Sequence, residues 1–136
     1  VSELAVTDAH ALIWAATGKL RKLGRDARRF YERVDAGRAA LYIPTMALVE
    51  IGEAHRAGAI AFGGGSSFGS WVEQLLGSGR FIATDLTWGI VSRAQQLFTI
   101  PERGDRLIAA TAAELDLPLI TRDPEIAKAA EVELLW

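Results

Sequence analysis

Short apolar runs along this chain alternate with longer stretches in which apolar residues recur at helical spacing. Leu4-Ala5-Val6 reads as a buried strand ending at Thr7 and Asp8, and Ala9 to Ala16 follows with a helical pattern that Gly18 stops. Arg25 to Ala36 predicts a second helix, with Phe30 and Val34 on its apolar side and Gly37 as its carboxyl cap. Ala40 to Ile43 predicts the second strand. Pro44 bars extension of either element through it, and Thr45 is read as the cap of a helix that reaches about Arg56 and closes at Gly58. Phe68 to Leu76 predicts a helix, Arg80 to Ala83 a strand, and Thr87 opens a helix through Leu97 or Phe98, halted before Pro101. Asp105 is placed at the start of a strongly helical stretch, Arg106 to Leu115. A strand follows within Leu117 to Thr121, Asp123-Pro124 starts a short helix, and Val132 to Leu135 predicts a final edge strand.

Short apolar strands separated by helices predict an α/β domain with a mostly parallel central sheet, flanked by helices on both faces. A chain of 136 residues fits one such domain, residues 1–136. Ligands of these folds gather beyond the carboxyl ends of the strands, where Asp8 and Asp123 are expected. The glycine-rich stretch Gly63 to Ser67 carries neither G-x-G-x-x-G nor the lysine-containing P-loop signature and is read mostly as linkage.

Composition narrows the chemistry. Half the residues are apolar and 24% are charged, the profile of a globular domain. With no cysteine, a disulfide framework, a thiolate zinc site and a thiol nucleophile are all excluded. No leader-like segment opens the chain, and no apolar run approaches the roughly 20 residues of a membrane span, so a cytoplasmic protein without membrane partners is expected. The net charge of -2 argues against nucleic-acid binding by bulk electrostatics. Lys19, Arg21, Lys22, Arg25, Arg28, Arg29 and Arg33 nevertheless crowd one segment, accompanied by only Asp26 and Glu32, which reads either as a local basic patch or as a solvated helix face.

The acids are informative by placement. Asp8 and Asp123 each follow an apolar strand, Glu50 and Glu53 share a face of the helix after the second strand, and Asp105 opens a helix rich in alanine. Carboxylates gathered without a cation repel one another, whereas Mg2+ or Mn2+ suits hard oxygen ligands and can orient water for attack on a phosphodiester. Each acid also has a structural reading: Asp8, Asp105 and Asp123 as helix caps, Glu50 and Glu53 as surface residues paired with arginine. His10 is read as a structural hydrogen-bonding residue and His55 as no ligand.

Four segments together resemble the PIN-domain ribonucleases, especially the VapC toxins of VapBC toxin–antitoxin pairs: Thr7-Asp8-Ala9-His10-Ala11-Leu12-Ile13-Trp14, Ala47-Leu48-Val49-Glu50-Ile51, Gly104 to Ala112, and Leu119-Ile120-Thr121-Arg122-Asp123. The resemblance implies a three-layer PIN-like fold and a metal-dependent endoribonuclease whose Asp8, Glu50, Asp105 and Asp123 bind Mg2+ or Mn2+ and promote RNA hydrolysis. Thr121 then supports the pocket by hydrogen bonding and Glu53 as an auxiliary acid, while Arg106 and Arg122 are candidates for positioning RNA. It also implies a homodimer and a cognate antitoxin, with DNA reached only indirectly through that partner. The chain departs from the resembling pattern at Ala9, Pro44, Ala47 and Gly104, changes that bear on local hydrogen bonding and substrate fit. Two other readings remain: a catalytically inactive PIN-like protein-binding domain, and a metal-dependent phosphatase.

Overall fold

The computed structural model describes residues 3–129 and 131–136. Five strands, β1 (Leu4–Thr7), β2 (Ala40–Pro44), β3 (Phe81–Thr84), β4 (Leu119–Ile120) and β5 (Leu134–Leu135), form one sheet in the order β3-β2-β1-β4-β5, and every ladder is parallel. Among the described residues seven α-helices connect them: α1 (Ala9–Ala16), α2 (Arg25–Asp35), α3 (Thr45–Arg56), α4 (Phe68–Gly77), α5 (Trp88–Gln95), α6 (Arg103–Leu115) and α7 (Pro124–Ala129). This is the three-layer α/β arrangement expected of the pattern, and the sheet is parallel throughout rather than mostly so.

Parallel strands need covering on both faces, and β1 shows why these residues comply. Ala5, Val6 and Thr7 are all fully buried although successive side chains point to opposite faces. On the Thr7 face lies α2, whose Ala27, Phe30, Tyr31 and Val34 recur at helical spacing and are buried. Helix α6 packs on β1, β2, α3 and α5, and its Ala109, Ala110 and Ala112 leave it no bulk to hold it away. The Thr7 hydroxyl lies 2.6 Å from the Tyr31 hydroxyl, so the two polar groups of this interior satisfy each other. Burial raises the Tyr31 phenol above its ordinary pKa.

Helix boundaries depart from expectation where a side chain finds a distant partner. Thr45 does not cap α3: its hydroxyl donates to the Thr84 carbonyl at the end of β3, and Pro44 takes the cap position while also pairing in β2. Asp105 does not open α6 but is its third residue, with Glu102 at the cap position making no side-chain cap bond. Strand β4 is only two residues long, α5 ends at Gln95, and Gly63–Gly65 forms one short 3-10 turn. No helix among the described residues is long and apolar enough to cross a membrane.

Replacing Tyr31 by Phe removes one member of the buried hydroxyl pair and leaves Thr7 Oγ1 only its 3.2 Å contact with the Asp8 carbonyl. The variant is expected to lose about 1–2 kcal/mol of stability, read as a lower urea midpoint at unchanged slope.

Candidate active site

The carboxyl ends of β1 and β4 are neighbours, and that adjacency builds the site. Thr7 pairs with Ile120, and the Asp8 amide donates to the Ile120 carbonyl at 3.1 Å, so Asp8 and Thr121 leave the sheet side by side. Asp8 caps α1, its Oδ1 accepting from the Ala11 amide at 2.8 Å. Asp123 Oδ1 accepts from the Glu125 amide at 2.9 Å at the start of α7, and the Asp123 amide donates to the Thr121 hydroxyl at 3.2 Å. The helix caps therefore also aim these acids.

Asp8, Glu50, Asp105 and Asp123 line one cleft of about 240 Å³, with His10, Trp14 and Arg122 at its margin. A second hollow of about 390 Å³, bordered by Met46, Glu102 and Gly104, shares His10, Glu50 and Asp105 with the first. Burial raises the Asp8 carboxyl and the negative charge of Asp123 adds to it, against the opposing pull of Thr121, the Ala11 amide and His10. Burial likewise raises Glu50, with Asp8 and Glu102 adding and His10 opposing. Asp105 is pushed up to about 7, first by burial, then by its hydrogen bond to and the charge of Asp123, then by Glu50 and Asp8. Glu50 Oε1 is buried without a hydrogen-bond partner. Such a group costs free energy unless something else supplies a partner.

Residues 5–132 match the family described as PIN domain. The chain is a PIN domain. Comparison with curated protein sequences gives no match. Among solved structures, this PIN domain is similar to VapBC2 from Rickettsia felis bound to a promoter DNA fragment (16% identity, 96% of each chain covered, TM-score 0.67). It is also similar to a toxin–antitoxin complex from Klebsiella pneumoniae (20%, 94% of each, 0.60) and to FitAcB from Neisseria gonorrhoeae (18%, 96% of this chain and 95% of that one, 0.59). At these identities the likeness is one of fold.

Within the PIN domain the other candidate residues separate. Thr121 is fully buried and its hydroxyl serves both Asp8 and Asp123. Glu53 is exposed and lines neither hollow, because three positions along α3 turn it about 60° away from Glu50. Arg106 is engaged elsewhere, donating from Nη1 to the carbonyls of Ile100 and Pro101 at 2.8 and 2.9 Å, which fastens the α5–α6 connection. Arg122 stays at the cleft, its Cζ 4.7 Å from the centre of the Trp14 ring. His55 stacks on Phe62, and residues 63–67 border neither hollow.

Three residues matter more than their sequence reading allowed. His10 makes no hydrogen bond among the described residues and instead lines both hollows, where it opposes the upward shifts of Asp8 and Glu50. Trp14, one helical turn further along α1, forms part of the cleft wall. Gly104 has no left-handed backbone to explain it, but a Cβ there would collide with Glu50 Oε1 and stand 3.1 Å from its Cδ. The signal for His10 and Trp14 was their spacing from Asp8 on a helix that starts at the rim. Gly104 was marked only as a departure from the resembling pattern, and nothing local pointed to its contact with Glu50.

The donor set suits a hard divalent cation: four carboxylates, no sulfur, and one carboxylate oxygen lacking a partner. As they lie, no three acidic or histidine side chains among the described residues converge as an assembled ligand set. The acids share the cleft without closing on a point.

Asp105 has a folded pKa of about 7 against an ordinary 3.8, so the folded protein retains a proton that the unfolded chain releases. The stabilisation is present below about pH 4 and is lost as pH rises through 7. In chelator, Asp105→Asn is therefore expected to gain stability relative to the parent as pH rises from 4 to 8, measured by urea unfolding at each pH. Gly104→Ala is expected to leave stability within about 1 kcal/mol, because alanine favours the helix. It should displace the Glu50 carboxylate toward water and bring its titration, followed by carbon NMR, back toward the ordinary range.

Proposed function

We propose that this PIN domain is a metal-dependent endoribonuclease, the toxin of a type II toxin–antitoxin pair acting in the cytoplasm. The observation that carries the reading is the meeting of Asp8, Glu50, Asp105 and Asp123, from four separate segments, in one cleft at the carboxyl rim of the sheet. Burial first, and neighbouring acids after it, raise the proton affinities of Asp8, Glu50 and Asp105. Asp8, Asp105 and Asp123, with Glu50 beside them, would hold Mg2+ or Mn2+, which when bound supplies charge neutralisation at the phosphodiester and an acidified water. Asp8 and Asp123 are held by helix-start amides, and Thr121 steadies both, so the cluster is oriented by backbone rather than by long side chains. Arg122, which lines the same cleft, would position RNA.

The antitoxin partner is supported by the similar structures, one of which is a toxin–antitoxin complex; promoter DNA accompanies VapBC2, and this chain would reach DNA only through such a partner. Trp88 and Phe98 are 78% and 83% exposed, apolar area in keeping with a homodimer. A second reading, an inactive PIN domain that binds protein, is favoured by the absence of an assembled cation-ligand set among the described residues.

The test is cleavage of structured and single-stranded RNAs by the purified chain in Mg2+, Mn2+ or chelator, beside the folded Asp8→Asn/Asp123→Asn variant, with phosphomonoesters as controls. Asparagine preserves both helix caps. Metal-dependent RNA cleavage that falls at least about a hundredfold in the variant is expected; no cleavage together with no Mn2+ binding by calorimetry selects the binding-domain reading.

A further inference from the structure

Two cations and an indole form a wall beside the acidic cleft. Arg122 Cζ is 4.7 Å and Lys22 Nζ 5.7 Å from the centre of the Trp14 ring. Among the described residues neither cation makes an ion pair or a hydrogen bond, although Arg122 lines the cleft together with Asp8 and Asp123. A guanidinium held against an aromatic ring keeps its in-plane N–H donors available, and an ammonium keeps all three of its own. The wall is also anchored: Trp136 packs 6.1 Å from Trp14, and its carbonyl accepts from the Asp26 amide at 3.2 Å at the start of α2. That contact ties the indole to the connection that carries Lys22.

Resting on the nuclease reading above, we propose that Trp14, Arg122 and Lys22 form a subsite that grips the phosphate backbone of single-stranded RNA next to the carboxylates. Unspent donors on two neighbouring cations call for an anion rich in acceptors. Four carboxylates alongside repel a small free anion, whereas a polymer can place successive phosphates on the wall and leave the next group over the acids. Further cations follow in the same segment: Arg21, Arg25, Arg28 and Arg29 are exposed, with Arg25 paired to Asp26 at 3.4 Å. A single strand fits better than a duplex: the His10 and Trp14 rings, 6.0 Å apart and tilted at 52°, offer aromatic surface to an unstacked base.

The experiment is binding of a fluorescein-labelled single-stranded RNA to the intact chain in EDTA, followed by anisotropy across a KCl series. Arg122→Ala, Lys22→Ala, their double variant and Trp14→Leu are compared with Arg38→Ala, a basic residue at the opposite end of the sheet. Arg122→Ala is expected to weaken binding about tenfold, and each lost cation to lower the salt slope by about 0.7. Lys22→Arg should restore the slope, and Arg38→Ala should leave affinity unchanged. Binding by Arg122→Ala and Lys22→Ala equal to that of the parent would overturn the proposal, as would a parent chain that binds no single-stranded RNA. If the parent cleaves RNA and the wall variants bind normally, the subsite falls while the nuclease reading stands. If RNA binds through the wall but is never cleaved, the subsite stands and the nuclease reading falls.

Discussion

The rest of the structure depends on the complete burial of Ala5, Val6 and Thr7, the last three residues of β1. A central strand in an all-parallel sheet has helices over both faces and strands on both sides, so no polar side chain can be accommodated along it unless another group satisfies it. Thr7 meets that condition through Tyr31. The first position where the chain can carry a charge is the residue just past the strand, and Asp8 stands there. The same constraint on β4, its neighbour, delivers Thr121 and Asp123 to the same rim. Concentration of chemistry at one end of this domain is thus a by-product of keeping its middle dry.

Concentration has an electrostatic cost. Burial penalises the ionised forms of Asp8, Glu50 and Asp105, and neighbouring carboxylates compound the effect. At Asp105 burial comes first, and the hydrogen bond to and charge of Asp123, then the charges of Glu50 and Asp8, add to it. The fold offsets some of this with backbone dipoles: amides at the starts of α1 and α7 point at Asp8 and Asp123, and Asp105 lies in the first turn of α6, where negative charge is favoured. Glu50, inside α3 rather than at a helix start, has no such support, and its buried Oε1 is the atom left without a partner.

How legible all this was depended on range. Asp8 and Asp123 could be read because strand-end and helix-start signals coincide within three residues of each. The cap reading holds for both, and each capping carboxylate also lines the cleft. Thr45 was misread because its hydroxyl goes to a strand thirty-nine residues away, and local capping rules have no view of such a partner. Glu53 shared a helix face with Glu50 on spacing alone, but a half-buried edge admits only one of two residues set 60° apart. Gly104 could be noted only as a departure from the resembling pattern: what it does lies in an atom it lacks, seen only once α3 and α6 are brought together.

The alanines of α6 carry a consequence for heredity. Ala109, Ala110 and Ala112 hold this helix tightly to its neighbours, and Asp105 rides one turn upstream on the same rigid rod. Any added methylene beneath the rod must lift or slide it, and its acid moves with it. The genetic target for silencing the cleft is therefore wider than its four carboxylates: it includes uncharged codons whose products never touch the cleft.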